Sequence, residues 1–263
     1  MAKKKEEKEL AVKEEYLPSE HMDFESDAGM GFENADSDAY SIPYLIILQS
    51  NSPQVDEDEG RYVEGAKAGM IMNTVTNELF SELTLVPVEY SRRMVEWVPR
   101  DAGGGYRGSY DPSDPKVCDL ERDENGRYVL DNGNFLNDTR YHFVLVDKGL
   151  GQTEPAVIAL TSTQIKKSRN WMYAMNNIKF RNKDGKMFTP PSFSHKYSVS
   201  SVSEKNDKGS WKGWKFSMLS VLDKDEAYLY QSAKLFLDEI KKGAAEIMAP
   251  PAETSSQDSD VAF

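Results

Sequence analysis

The chain has 263 residues, a formal net charge of −12 and a hydrophobic fraction of 39%, so it can form a substantial core while part of it is expected to stay unfolded. One cysteine and three dispersed histidines exclude an internal disulfide and a zinc site with recognisable ligand spacing. No run of about 18 apolar residues occurs and the first residues lack a secretory pattern, so we expect a cytoplasmic protein.

The charge is unevenly distributed along the chain. Residues 1–60 contain five lysines against sixteen acidic residues, and residues 250–263 contain three acidic residues and no basic one. Residues 165–216 contain twelve basic residues against three acidic ones. A basic centre between acidic ends indicates an anionic partner for the centre, with acidic segments that can occupy the same surface.

The first element in chain order is a predicted disordered acidic arm at 1–39, which has too few apolar residues to offset the entropy of ordering. A β-rich domain is predicted at 40–249. It begins with the apolar stretch at 41–55, which is a strand or a short helix. Further strands are predicted from runs of β-branched and aromatic residues at 82–100, 140–147, 155–160, 194–203 and 211–222.

A glycine- and proline-rich loop interrupts these strands at 101–115 and is predicted to lack regular structure. It carries Tyr106 and Arg107 shortly after Arg100. We expect these three side chains to contact a bound strand when the loop folds over it.

A helix is predicted near 161–177. Thr161 and Gln164 have the spacing of a capping box, and Ile165, Met172 and Met175 recur at helical spacing, which predicts that they face the core. The opposite side of this helix is then basic and exposed.

A second helix is predicted near 225–249, with Leu229, Ala233, Phe236 and Ile240 on its core face. The chain then continues from Pro250 as a polar acidic tail at 250–263, because two consecutive prolines stop the helix.

The basic region at 165–216 is also rich in aromatic residues. Aromatic rings interleaved with lysine and arginine suit single-stranded nucleic acid, because unpaired bases stack on rings while cations contact phosphates. An alternative is that the rings are core residues and the lysines a solvated surface. The candidate nucleic-acid-binding residues are Lys166, Lys167, Arg169, Trp171, Tyr173, Lys179, Arg181, Lys196, Tyr197, Trp211, Lys212 and Trp214, together with Arg100, Tyr106 and Arg107.

No catalytic motif occurs in the sequence, so we expect a protein that is not an enzyme and that needs no metal and no cofactor. A nuclease would need clustered carboxylates, and the acidic residues near the second helix are better explained as surface pairs.

The chain ends with Asp258, Asp260 and an apolar Phe263, a short motif suited to a basic-rimmed pocket on another protein. An acidic tail ending in Phe after a basic, aromatic β-rich body resembles the single-stranded-DNA-binding proteins of tailed bacteriophages and bacteria. This resemblance implies a mainly β (α+β) fold with an OB-like barrel core and peripheral helices. It also implies a tail that competes with DNA and recruits replication proteins such as a polymerase, helicase or nuclease.

A second resemblance involves the stretches GFENADSDAYSIPYLIILQSNSP and EGAKAGMIMNTVTNEL. They are similar to a recurrent group of bacteriophage early proteins of about this length. This resemblance covers about the first third of the chain and implies no particular activity.

The leading hypothesis is therefore non-sequence-specific binding of single-stranded DNA in phage replication or recombination, in the cytoplasm of an infected bacterium. The alternative is a phage interaction module, an inhibitor or adaptor whose acidic arms bind a basic host protein. The oligomeric state is left open, with a dimer among the alternatives.

Overall fold

We analysed a computed structural model of the chain, and the described residues are 23–24, 26–33, 41–123, 127–207 and 209–242. The chain divides into two compact units, Met1–Tyr40 and Ser41–Phe263. In the first unit, residues 26–33 form consecutive turns, with Asp27 N donating to Asp23 O at 3.1 Å. The rest of the predicted disordered arm lies outside the described residues.

The described part of the second unit is built from twelve strands and two α-helices. The strands are β1 Leu45–Ile47, β2 Ile71–Asn73, β3 Leu79–Phe80, β4 Glu82–Trp97, β5 Tyr106–Tyr110, β6 Tyr128–Val129, β7 Phe135–Gly149, β8 Gln152–Leu160, β9 Phe180–Arg181, β10 Met187–Phe188, β11 His195–Asn206 and β12 Gly209–Val221. The helices are α1 Ile165–Asn177 and α2 Ala227–Lys241. None of the helices in these residues is long and apolar enough to cross a membrane.

Two long central strands, β4 and β7, organise a seven-stranded sheet. They pair antiparallel from Leu85 opposite Val146 to Trp97 opposite Phe135. The first part of β4 also pairs with β11, which pairs with β12, and the last part of β4 pairs with β5. On its other edge β7 pairs with β8 and β6. Both halves of the sheet therefore depend on the same two strands.

A β-bulge between Pro87 and Glu89 interrupts the register of β4 with β7. Before it, Leu83 and Leu85 face one side of the sheet and Val86 faces the other, as does Val88 within the bulge. After it, Met94 faces the first side while Val95 and Trp97 face the second. The bulge thus reverses which positions of β4 face each side.

Both faces of the sheet carry an apolar core. On one face α2 packs Leu229, Ala233 and Phe236 against the sheet, with Phe236 and Phe143 in edge-to-face contact at 6.2 Å. On the other face Trp171 of α1 packs against Tyr197 and other buried residues. The predicted core face of the second helix is confirmed for the three buried residues, and residues 243–249 lie outside the described part of the chain.

A small third core lies on the α1 side at the far end of the sheet. There the β5–β6 lobe, defined as residues 98–123 and 127–134, packs Val117 and Leu120 against Met94 and Leu136. The predicted absence of regular structure at 101–115 is wrong for Tyr106–Tyr110, because these residues pair with the end of β4.

The buried carboxylate of Glu96 fixes this lobe. It accepts hydrogen bonds from Tyr110 Oη at 2.5 Å, from Asn132 Nδ2 at 3.1 Å and from Asn134 Nδ2. Burial alone would raise the pKa of Glu96, but these hydrogen bonds outweigh it, so the pKa lies below its ordinary value.

The prediction of a mainly β domain with peripheral helices is confirmed, but the described strands form open sheets and close no barrel. A three-stranded sheet of β1, β2 and β3 is linked to β8 by a parallel bridge between Tyr44 and Val157 and by Asn73 Nδ2, which donates to Glu154 Oε1 at 2.6 Å. On its other side Gln49 bonds the backbone of Lys212 in β12, accepting from N at 2.8 Å and donating to O at 3.0 Å. The side chain of Gln49 thus bridges the gap between this sheet and β12, where strand pairing would be needed to close a barrel.

Candidate nucleic-acid interface

The helix α1 places its side chains differently from the sequence pattern. Its buried residues are Ser168 and Trp171, preceded by the buried Gln164, whereas Ile165 and Met172 are half-buried. Met175 is also half-buried and packs against the core as predicted. The predicted capping box is wrong, because no side chain caps this end and Gln164 turns toward the sheet. The predicted helix itself is confirmed at Ile165–Asn177, after a 3-10 turn at Ser162–Gln164.

Three of the predicted binding residues, Trp171, Tyr197 and Trp214, are buried in the core instead of exposed to a ligand. Trp171 stacks on Phe216 at a ring distance of 4.1 Å, and Trp214 stacks on the same ring at 6.0 Å. Burying a large aromatic side chain stabilises the fold by about 1.5–3 kcal/mol, so these rings are not available for base stacking in this structure.

Two further candidates, Lys167 and Trp211, are held by one carboxylate. Glu204 Oε1 lies 2.6 Å from Lys167 Nζ, and Glu204 Oε2 accepts hydrogen bonds from Gln164 Nε2 at 3.0 Å and Trp211 Nε1 at 2.9 Å. Gln164 Oε1 in turn accepts from Trp214 N at 3.0 Å. This Glu204 network fastens the start of α1 to the β11–β12 hairpin.

The Glu204 network needs a glycine at position 213. A Cβ there would lie 2.8 Å from Glu204 Cδ, closer still to Oε2, and 3.1 Å from Gln164 Nε2. We expect Gly213→Ala to lower the free energy of unfolding by about 1–2 kcal/mol, because the carboxylate must leave its donors. Urea denaturation would measure this loss. In a Glu204→Ala background the same substitution should cost less, and an unchanged cost would contradict this explanation.

The outer side of α1 remains exposed. Lys166 and Arg169 are exposed, and Tyr173 is 73% exposed, which is unusual for an aromatic ring on a well-packed helix. Because Trp171 faces the core, these three residues lie on the side of α1 that faces away from the sheet.

The short hairpin of β9 and β10 continues this surface. Lys179 Nζ donates to Asn176 O at 2.8 Å and also to Thr189 Oγ1, which joins the end of α1 to the end of the hairpin. Phe180 and Phe188 pair across the two strands at 6.0 Å, and Phe188 remains 45% exposed. We define the α1–hairpin surface by its exposed side chains: Lys166, Arg169, Tyr173, Lys179, Arg181, Lys183, Lys186 and Phe188.

The remaining candidates lie elsewhere. Lys196 forms an ion pair with Glu226, and Lys212 donates to Ser203 Oγ at 2.8 Å near the tip of the β11–β12 hairpin. Arg100, Tyr106 and Arg107 are exposed at the β4–β5 end of the sheet. The hairpin that carries Lys212 pairs with the start of β4, and Arg100, Tyr106 and Arg107 lie near its end. Residues 83 and 97 of β4 are about 45 Å apart at the rise of a strand, so the predicted residues do not form a single patch.

The predicted tail residues Asp258, Asp260 and Phe263 lie outside the described part of the chain. Within residues 41–123, 127–207 and 209–242, no group of histidine, cysteine, aspartate and glutamate is arranged to hold a metal ion.

A buried histidine lies beneath α1. His142 Nε2 is hydrogen-bonded to Ser168 Oγ at 2.8 Å, and its ring stacks on Trp171 at 4.8 Å. Burial, with a smaller effect from Arg140, lowers the pKa of His142 to about 3, so the ring is neutral at pH 7. Because both members of this pair are buried, it serves to position α1.

Sequence patterns missed Glu204 and the arginines of β4, and they gave Gln164 a capping role in place of its bonds to Glu204 and Trp214. Glu204 is one of only three acidic residues at 165–216, and an acid in so basic a segment is a signal that could have pointed to it. The arginines Arg92 and Arg93 gave no such signal, because their positions depend on the bulge in β4.

Comparison with known proteins gave one match. The sequence model of a family described as Pam3 phage gp34-like protein matches residues 9–246. No curated protein and no solved structure shows significant similarity to the chain.

Proposed function

The chain belongs to the Pam3 phage gp34-like family, so it is a phage protein, and on this premise we propose that it binds single-stranded DNA without sequence specificity through the α1–hairpin surface. The observation that supports this proposal most is that α1 and the β9–β10 hairpin carry exposed cations together with the exposed rings of Tyr173 and Phe188. Cations can contact successive phosphates while the rings stack on bases that a duplex would keep paired.

The rigidity of this surface also supports the proposal. The Glu204 network and the pair of His142 and Ser168 hold α1 against the sheet, and Lys179 fixes the hairpin to the helix. A preformed surface loses less conformational entropy when it binds. We propose that the β domain acts as an OB-like scaffold in phage replication or recombination. This binding involves no chemical step and no cofactor.

The test is a titration of fluorescently labelled dT30 followed by anisotropy at about 50 mM and about 200 mM salt. Tryptophan quenching is a weaker readout, because Trp97, Trp171 and Trp214 are buried. About four phosphate contacts should give a slope of log affinity against log salt near −3. Binding that is absent, or that does not change with salt, would refute the proposal. Tighter binding to a duplex of the same length would also count against it.

The ring of Tyr173 should contribute strongly to binding. We expect Tyr173→Ala to lower the affinity for dT30 about fivefold to a hundredfold, because one base loses its stacking partner. Tyr173→Phe keeps the ring and serves as the control, with an affinity close to that of the unmodified protein. Anisotropy titrations of the three proteins measure this difference. An unchanged affinity of the alanine variant would mean that Tyr173 does not stack on a base.

We further propose that the acidic tail at 250–263 competes with DNA for the basic surface and recruits replication proteins. A variant that ends at Pro250 should then bind dT30 more tightly than the full chain at low salt. Equal affinity at all salt concentrations would show that the tail is not a competitor.

A second candidate function is supported by the first unit. Phe24, Met30 and Phe32 are all more than 60% exposed within an acidic stretch. Exposed apolar side chains among acidic residues suit a basic partner with an apolar cleft. If the chain is an interaction module, deleting residues 1–40 should abolish binding to a host protein and leave any binding of dT30 unchanged.

A further inference from the structure

A strip of charged residues crosses the α1 side of the sheet between α1 and the β5–β6 lobe. Directly opposite residues of antiparallel strands share a face, and three successive pairs lie on this one: Tyr90–His142, Arg92–Arg140 and Met94–Asp138. α1 packs on His142, and the lobe packs on Met94. The pair of Arg92 and Arg140 lies between these two contacts, which are about 13 Å apart along the strand.

The hydrogen bonds of this strip leave it positively charged. Asp138 accepts from Arg92 Nε at 3.1 Å and Nη2 at 2.8 Å, and it also accepts from Arg140 Nη2 at 2.9 Å. Arg140 Nε lies 2.9 Å from the same carboxylate, and Arg140 Nη1 donates to Tyr90 Oη at 2.7 Å. The single negative charge of Asp138 therefore neutralises only one of the two positive charges of Arg92 and Arg140.

Arg92 and Arg140 differ in whether a ligand can reach their N–H groups. The side chain of Arg140 is 10% exposed. Its Nη1 and Nη2 donate to Tyr90 and Asp138, and its buried Nε lies 2.9 Å from Asp138 Oδ1 without a hydrogen bond. The side chain of Arg92 is 40% exposed, and its Nη1 makes no hydrogen bond within the described residues. Arg92 thus presents a planar N–H group whose orientation is fixed by two bonds to Asp138.

A fixed guanidinium with an outward N–H group and one uncompensated positive charge matches a phosphate oxygen. We propose that Arg92, oriented by Asp138 and Arg140, is a second phosphate-binding subsite on the path of a single strand that also contacts the α1–hairpin surface. This inference rests on the proposed function, since the same strand must contact both. It implies that a long strand gains a contact that a short one lacks.

The neighbouring arginine provides a matched control. Arg93 carries the same charge and has a side-chain exposure of 42%, but it points to the opposite face, where its ion pair is with Asp111 at 3.9 Å. Substituting either arginine by glutamine removes one positive charge from the same stretch of β4. Only Arg92→Gln removes it from the face that carries α1.

The experiment compares Arg92→Gln, Arg93→Gln and the unmodified protein in anisotropy titrations with dT8 and dT30. We expect Arg92→Gln to weaken binding of dT30 about threefold to tenfold and to reduce the salt slope by about 0.7, with little change for dT8. Arg93→Gln should stay within about twofold of the unmodified protein. Equal losses from both substitutions, or equal losses on both oligonucleotides, would overturn the subsite.

The outcomes separate this inference from the proposed function. If the unmodified protein binds dT30 and Arg92→Gln binds it equally well, the subsite is wrong and the α1–hairpin surface stands. If the unmodified protein binds neither oligonucleotide, both are wrong. Should Arg92→Gln unfold in a thermal melt, Arg92→Lys decides. It keeps the charge but loses the planar pair with Asp138, and its affinity for dT30 should lie measurably below that of the unmodified protein.

Discussion

Reversing two charges on α1 is expected to produce the largest loss of DNA binding of any change in the chain. The double variant Lys166→Glu/Arg169→Glu should bind dT30 at least about 30-fold more weakly at about 50 mM salt. Two exposed cations that contact phosphates become anions that repel them, on the same side of the helix as Tyr173. Anisotropy measures the affinity, and the salt dependence should flatten by about 1.4, the value for two phosphate contacts.

The matched control for this variant is Lys234→Glu/Lys241→Glu on α2. These lysines are also exposed and helical, and the reversal changes the net charge by the same amount. Because α2 packs on the opposite face of the sheet, the control should lose affinity only through the overall charge. If both double variants lose affinity equally, α1 has no special role and binding is a property of the net charge alone.

Removing the carboxylate of Glu204 is expected to give the largest loss of stability among the polar substitutions. We expect Glu204→Ala to lower the free energy of unfolding by about 2–3 kcal/mol at pH 7. The substitution leaves Lys167, Gln164 and Trp211 without their shared acceptor. Urea denaturation at several pH values measures this loss. Asp207→Ala, which removes an exposed acid from the same hairpin, should change stability by less than about 0.5 kcal/mol.

The stability lost in Glu204→Ala should become smaller as the pH falls. Burial raises the pKa of Glu204, but the hydrogen bonds from its three donors outweigh this, so the pKa in the folded state lies below the ordinary value. The stabilisation is therefore complete well above the ordinary glutamate pKa of about 4.3, and it disappears as the pH falls through the lower folded value. The stabilities of the variant and the unmodified protein should converge in acid. A constant difference down to low pH would contradict this explanation.

The sequence was sufficient to predict the five longest strands, β4, β7, β8, β11 and β12, but not the short ones. Runs of β-branched and aromatic residues such as 140–147 and 155–160 lie within β7 and β8, because a nearly continuous apolar run favours a strand buried on both faces. The two helices were also predictable, since each carries apolar residues at helical spacing. These signals are local, and the structure retains them.

The candidate site was only partly predictable, because burial depends on contacts between distant parts of the chain. Trp171 and Tyr173 lie two positions apart on one helix, and composition favours both equally as stacking residues. Their different roles follow from Phe216 and His142, which cover Trp171 and leave Tyr173 exposed. The same limit applies to the predicted barrel, because the sequence does not show that a side chain, Gln49, and not a strand contacts the backbone of Lys212.

The bulge between Pro87 and Glu89 gives β4 an unusual sensitivity to changes in length. Removing one residue there would restore a regular strand and rotate every later side chain of β4 to the opposite face. Val95 and Trp97 would leave the α2 core, while Arg92 and Glu96 would enter it. A single-codon deletion at this point would therefore damage the protein more than any single substitution in the strand, so the length of β4 is a stricter requirement of the fold than the identity of any one of its residues.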